Sequence, residues 1–428
     1  MTAGAFVLAI FGWGLGFYSL PVFLGVIHEA RGWPLGVISG AMTLHLLVGS
    51  LMATRLPALH AYFGMACYTQ AGAVLIALGL LGWALAWEPW HLYVAAVISG
   101  AGWSSMSAAA VNAIVSPWFV RARPAALGMA YNGGSAGGII FSPLWVAAIA
   151  FLSFPYAAAT IGLTAAVVIW VIAATLFART PEQMGLLPDG DARGTQPINV
   201  TSPQARALPG RLLWRDRRFL TLSAAMALSL FAQLGIVSHL FSLLLPAFGA
   251  QLAGVAVAMI TVMAIVGRLM IGWFMPVGAD RRLVTSVVYG TQLLGSLAFL
   301  AAHGSNVPLL LLGIALFGTG FGNATSLPPL VAQVEFVREE VQRVVALVVG
   351  MGQMVFAFGP AAFGLIRELT SHGEGASSGA APWVFITAAI LQGLAIAAML
   401  LGRNAAPSET LRSGSKQQAG RRGKVPPE

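Results

Sequence analysis

The residue with the clearest chemistry in this sequence is Arg268. It stands in Val266-Gly267-Arg268-Leu269-Met270, within an apolar stretch from Gly254 to Met275. That stretch, about 22 residues, is long enough to cross a hydrocarbon core of about 30 Å as a helix. Inserting an arginine near the centre of such a helix costs about 2.5–3.5 kcal/mol, so the side chain is expected to face a bundle interior or an aqueous cavity. At helical spacing Arg268 shares a face with Ala258, Thr261, Ala264 and Gly272, all small enough to leave room in front of it. None of the 14 Asp and Glu residues falls in the middle of an apolar stretch. The guanidinium is left with backbone carbonyls, water or an anion that comes and goes. An anion 4 Å away gains about 4 kcal/mol at an effective dielectric of 20, enough to order a site and still permit release. A single positive charge suits a monovalent anion better than a dicarboxylate. The alternative is an arginine near a helix end whose head snorkels to the interface.

Other polar groups lie at similar depth. Gln233 and Gln353 sit near the middles of their apolar stretches and are candidates to give a solute neutral hydrogen bonds, or to bond between helices. Asn132 and Asn323 are candidate cavity-lining amides, and Tyr18, with Trp13 and Tyr131, a candidate wall for an apolar tail. His45 and His239 are the histidines placed well inside apolar stretches and are the candidates for carrying a proton, against the commoner case of a neutral packed ring. His28 and Glu29 fall at a stretch end and are read as solvated.

Several chemistries are not expected. Gly133-Gly134-Ser135-Ala136-Gly137 fits the pattern of a nucleophile elbow, but that chemistry needs a strand-turn-helix setting with a histidine and an acid in reach. Ser135 lies mid-helix with no acid at its depth. There is no phosphate-binding loop for ATP. Cys67 stands alone and the seven histidines form no ligand-spaced pair. No catalytic residue, metal site or cofactor is expected, and the chain is not read as an enzyme.

The elements that position these residues follow from hydropathy. Hydrophobic residues make up 58%, charged ones 9%, and mean hydropathy is +0.81; soluble domains carry about 25% charged residues. Apolar spans run about 3–27, 35–54, 65–86, 92–115, 124–150 and 155–178, and then 219–245, 253–275, 283–303, 308–330, 344–366 and 383–402. This predicts an all-α membrane protein of twelve transmembrane helices: a six-helix bundle over 1–178, an interdomain loop over 179–218 with five prolines, a second six-helix bundle over 219–402 and a disordered tail over 403–428. No basic n-region or cleavage site precedes the first span, which is expected to be retained.

Charge placement predicts orientation. With the N-terminus cytoplasmic, twenty of the 23 Lys and Arg residues fall on the cytoplasmic side and two, Arg31 and Arg367, opposite; Arg268 is the remaining one. Both termini are therefore placed in the cytoplasm and the protein in the cytoplasmic membrane. The net charge of +9 reads as topology and attraction to lipid head groups rather than nucleic-acid binding.

The halves are related. Val48-Gly49-Ser50-Leu51-Met52 matches Val266-Gly267-Arg268-Leu269-Met270, Gly16-Phe17-Tyr18-Ser19 matches Gly235-Ile236-Val237-Ser238, and Arg123 with Ala126-Leu127 matches Arg343 with Ala346-Leu347. The three matches fall in chain order at nearly one offset. Parallel six-helix repeats are the plan of a rocking-bundle transporter with its site between the halves near the midplane.

Twelve spans, a long central loop and this repeat resemble the major facilitator superfamily over essentially the whole length, with the two pseudo-symmetric bundles of its fold. Pro117-Trp118-Phe119-Val120-Arg121-Ala122-Arg123-Pro124-Ala125-Ala126-Leu127-Gly128-Met129-Ala130 and the glycine-rich run Gly133 to Gly138 resemble span 5 of the monocarboxylate-transporter and oxalate/formate-antiporter branch. Gly267-Arg268-Leu269 with Gly272 falls where that branch carries the arginine that holds a substrate carboxylate. There are departures. Thr54 and Ala58-Leu59 stand where the loop motif after span 2 has a glycine and an Asp-Arg pair, and after span 8 the motif survives as Gly272 and Asp280-Arg281-Arg282, with Pro276 near the expected acid. Ala264 replaces the aspartate of monocarboxylate carriers, their span 1 lysine would fall near His28 or Glu29, and Gln353 occupies span 11, where the antiporters place a lysine.

The sequence is thus read as a secondary active transporter for a small organic anion, a monocarboxylate first among candidates, with a proton as candidate co-substrate and lipid as its surroundings, acting as a monomer. Two alternatives stand beside it: an exporter of drugs or neutral metabolites in which Arg268 is structural, and a membrane receptor or scaffold without transport.

Overall fold

The computed structural model describes residues 1–119, 123–190, 213–275, 279–336, 338–370 and 381–403. Most of the interdomain loop and nearly all of the expected disordered tail lie outside the described residues.

The described secondary structure is helical. Among the described residues ten helices are long and apolar enough to cross a membrane; one of them, Arg217–Phe274, covers both span 7 and span 8, and the shorter Val307–Phe321 belongs to span 10. All twelve expected spans are therefore present. Spans 7 and 8 follow one another with a sharp non-helical kink at Gly249 between them, with φ 69° and ψ 170°. That backbone conformation is open to glycine and strained for other residues.

Several spans that read as continuous are broken. Span 1 consists of Thr2–Gly16 and Ser19–Arg31, and span 11 of Arg338–Ala357 and Gly359–Thr370. Span 4 consists of Pro89–Ser104 and Ala108–Val115. At its break Ser104, Ser105 and Ser107 turn their hydroxyls onto the carbonyls of Ala101, Gly102 and Ser104 at 2.6, 2.9 and 2.8 Å. Serines that bond locally in this way compete with the helical ladder. Span 10 breaks between Val307–Phe321 and Leu327–Glu335, where Asn323 and Ser326 bond backward and Pro328 and Pro329 open the second piece. The two breaks fall at equivalent places in the repeat.

The halves meet along a seam that hydrogen bonds cross at three depths. Farthest from the termini, the Gly36 amide donates to Glu368 Oε2 at 3.0 Å. Two turns deeper the Ala361 amide donates to Thr43 Oγ1 at 3.1 Å. Near mid-depth Arg268 Nη2 donates to Ser135 Oγ at 2.8 Å. Gly25 packs on Phe241 and Ser242, and Gly254 on Ser142 and Val146, so the far side is closed.

Candidate functional site

Arg268 is half-buried at the meeting of spans 1, 5, 8 and 10. Glycines make that approach possible. A Cβ on Gly267 would lie 2.0 Å from the Thr319 carbonyl oxygen, and one on Gly322 would lie 2.4 Å from the Ala264 oxygen and 2.8 Å from Arg268 Nε. Span 10 therefore presses directly against the turn that carries the arginine. Arg268 Nε faces the Ala264 carbonyl at 3.4 Å, and Nη2 reaches across the seam to Ser135. Among the described residues no carboxylate touches the guanidinium. Its partners are neutral oxygens.

Tyr18 is buried within electrostatic reach of Arg268, and its ring crowds Gly138 beside Thr261. It belongs to an apolar cluster drawn from both halves: Phe17, Leu46, Leu234 and Ala357, with Trp13, Trp103, Phe321 and Phe356 against them. Phe17 and Phe356 stack across the seam with centroids 6.1 Å apart and planes 5° from parallel. A cation with neutral partners beside an aromatic wall offers one end to a negative group and the other to an apolar body.

The remaining candidates are scattered around this centre. Gln233 is buried and donates from Nε2 to the Phe321 carbonyl at 3.0 Å, an interhelical bond between spans 7 and 10. Gln353 is exposed, one turn from Phe356 and on its face of span 11. Asn132 is exposed one turn from Ser135. Asn323 is buried and turned back on the Thr319 carbonyl at 3.4 Å. Tyr131 donates to the Ala108 carbonyl at 3.2 Å and takes no part in the wall.

His45 and His239 are both buried, well apart from Arg268 in the bond network. His45 Nδ1 lies 2.8 Å from Ser99 Oγ, and its ring is 5.6 Å from that of Trp103, behind the aromatic cluster. His239 Nε2 lies 3.1 Å from the Pro360 carbonyl, while Nδ1 lies 3.5 Å from Arg367 Nη1. A carbonyl only accepts, so Nε2 carries the hydrogen and Nδ1 is the acceptor that faces Arg367.

Two residues were missed by sequence reasoning. In the sequence Ser135 stands out only through a nucleophile-elbow pattern that its setting excludes; its proximity to Arg268 is a tertiary fact with no local signature. Arg367 reads in the sequence only as a charge on the side opposite the termini; it lies inside the helix Gly359–Thr370, half-buried against span 7. At the termini end of the second half, Arg282 is 1% exposed and pairs with Glu335 through Nε–Oε1 at 2.5 Å and Nη2–Oε2 at 2.7 Å, while also bonding Thr221 and the carbonyls of Arg218 and Met399.

A multi-pass helical membrane protein of two related halves, with a charged centre on the seam between them, has the build of an alternating-access carrier. The chain belongs to the Major Facilitator Superfamily, whose sequence model matches residues 70–360. It is a transporter and not an enzyme. A bacterial homolog of the human lysosomal transporter Spinster, solved in an inward-facing and occupied conformation, is similar over 95% of this chain and 96% of its own, at 12% identity and a TM-score of 0.68. The nucleoside transporter NupG is similar over 94% of this chain and 98% of its own, at 14% identity and a TM-score of 0.72. These likenesses establish the fold. A search of curated proteins finds no match to the sequence.

Proposed function

We propose that this protein is a secondary active transporter that carries a small organic anion, a monocarboxylate by preference, with Arg268 holding the carboxylate. The observation that carries the reading is the half-buried guanidinium on the seam whose partners are a hydroxyl and a carbonyl. A carboxylate binds a guanidinium far more strongly than either does. An arriving anion displaces Ser135 from Nη2 and neutralises the charge; its apolar part lies against Tyr18, Phe17 and Phe356. Gln353 and Asn132, exposed at neighbouring turns, supply neutral hydrogen bonds. With the charge neutralised the halves rock about the seam. Empty, the lone cation makes occlusion costly.

The far side is sealed in this conformation, and positive-inside placement assigns the termini side to the cytoplasm, so the state is read as facing the cytoplasm, in the cytoplasmic membrane. Charge balance admits two couplings: exchange for a second anion, or co-transport with a proton on His45 or His239. Uptake with and without a pH gradient separates them.

The test is uptake of labelled pyruvate, lactate and benzoate into proteoliposomes. Arg268→Ala is expected to lower uptake about 30-fold or more, in line with removing one partner of a desolvated charge pair, and Arg268→Lys to retain part of it. Undiminished uptake by both variants would overturn the reading. One observation favours a second reading: the bond to Ser135 gives Arg268 a purely structural role as a clasp between halves. An exporter of neutral compounds built that way would transport them indifferently to Arg268→Lys.

A further inference from the structure

Arg367 is a second cation at the seam. It lies in Gly359–Thr370, in the sealed far half, several turns from Arg268. Its Nη1 donates to Ser242 Oγ at 2.6 Å and faces His239 Nδ1 at 3.5 Å. Among the described residues no carboxylate touches it. Glu368, the next residue, directs Oε2 to the Gly36 amide across the seam. His239 is held by the Pro360 carbonyl with its acceptor nitrogen toward Arg367, so the ring meets the guanidinium as a neutral group.

The site is also where the far side must part. Ser242, which accepts from Arg367, packs against Gly25 of the other half. Gly36 and Glu368 join the halves one residue along the helix from Arg367, and Gly364, one turn back, packs on Ser39 of span 2. An opening of the far side would break these contacts and bring Arg367 and Ser242 to the surface of the widened cleft. A guanidinium held by neutral acceptors in a sealed seam is poised to exchange them for an anion once water and solute reach it.

We propose that Arg367, oriented by Ser242 and His239, is an outer docking site for the carboxylate of the transported anion, which binds there first on the far side and then passes to Arg268. The proposal rests on the organic-anion reading. It gives the pathway two stations of like charge, one on each side of the aromatic cluster formed by Phe17, Tyr18 and Phe356. The outer station sets affinity on the far side, and the inner one is needed from both sides.

The experiment compares half-saturation concentrations for labelled pyruvate, lactate and benzoate in right-side-out and inside-out membrane vesicles. Arg367→Gln keeps a donor for Ser242 and removes the charge. It is expected to raise the half-saturation concentration about tenfold or more when substrate is presented on the far side, and by less than about twofold from the termini side; a hydrogen-bonded ionic contact is of that size. Arg367→Lys, which keeps the charge, is expected to recover part of the far-side affinity, whereas a simple clamp between spans 7 and 11 would be served by the glutamine donor as well as by lysine and would not separate the two variants. Thermal unfolding of both variants in detergent identifies a variant that fails to fold. Equal effects from both sides, no effect of Arg367→Gln, or no recovery by lysine in folded protein would overturn the outer site. If Arg268→Ala abolishes uptake while Arg367→Gln leaves far-side affinity intact, only this inference fails. If the wild type takes up none of the three anions, the organic-anion reading fails and takes the outer site with it.

Discussion

Arg268 is held ready by a weak partner. Ser135 Oγ accepts from Nη2 at 2.8 Å and keeps the guanidinium directed across the seam. A hydroxyl is easily displaced by a carboxylate, so in the proposed cycle Ser135 serves as a placeholder and a guide. Ser135→Ala removes the partner that the arriving anion must displace, so it is expected to lower the half-saturation concentration for transported anion about threefold to tenfold and leave the maximal rate nearly unchanged, within the net range for one hydrogen bond. Initial-rate uptake across a concentration series checks this, and an unchanged half-saturation concentration would remove Ser135 from the site. Arg268 itself was legible in the sequence because an arginine inside an apolar span with no acid at its depth is conspicuous. Ser135 was not, because the two residues are 133 positions apart and nothing in a mid-helix serine announces a partner. The contacts of Arg367 were not legible for a related reason: near a span end, charge alone does not tell a solvated arginine from one folded back on a neighbouring helix. The amides at 233 and 323 were visible as polar residues in spans, but their bonds to the Phe321 and Thr319 carbonyls depend on the path of span 10.

Among the elements, span 10 sets the position of the site. Its close approach to span 8 depends on Gly267, where a Cβ would meet the Thr319 carbonyl at 2.0 Å. Gly267→Ala is therefore expected to push the two spans apart, displace Arg268 and cut uptake severalfold, with a stability cost of about 1–3 kcal/mol as for other overpacked positions. Uptake and thermal unfolding measured together test it, and wild-type values in both would show that the contact is slack. The second half is also fastened at its termini end. Arg282 is buried with Glu335, so Glu335→Gln, which leaves a buried cation short of its counter-charge, is expected to destabilise the fold by about 3–5 kcal/mol. Asp280 caps the following helix through the Arg282 and Leu283 amides and pairs with Arg403. Burial raises its carboxyl, but the Leu283 amide, the Arg403 guanidinium and the Arg282 amide outweigh that and hold it below the ordinary value of 3.8. The carboxylate's contribution to stability is therefore fully present above 3.8 and is lost as pH falls through the lower folded value. Asp280→Ala is expected to cost about 1 kcal/mol at neutral pH as a lost cap, and the difference from wild type should shrink in acid. Hydropathy located all of these spans, but not their interruptions. A serine cluster at 104–107 and a pair of prolines after Ser326 are helix-compatible in an apolar context, and whether they break the ladder depends on packing that a window average does not see.

For the whole molecule, the repeat in the sequence and the matching breaks in spans 4 and 10 describe one duplicated unit, and the closed far seam describes the conformation in which its halves lean together on that side. Thr43 and Ala361 meet across that seam. Cysteines placed at both positions, with the exposed Cys67 changed to serine, are expected to cross-link under mild oxidation and to stop uptake until reduced. Uptake that continues in cross-linked protein would mean that the far side does not need to open. The organisation into two halves was legible because membrane spans must be long, apolar and separated by polar turns, and duplication leaves its trace in spacing. The contacts across the seam were not, since they arise from how two rigid bundles lean on each other. The most direct measurement of the central claim is a structure of the protein with its best-transported monocarboxylate bound. The carboxylate is expected within hydrogen-bond distance of the Arg268 guanidinium, with Ser135 displaced and the rest of the solute against Tyr18 and Phe356. A solute bound in the cleft with its carboxylate away from Arg268, or a protein carboxylate paired with that guanidinium, would contradict it.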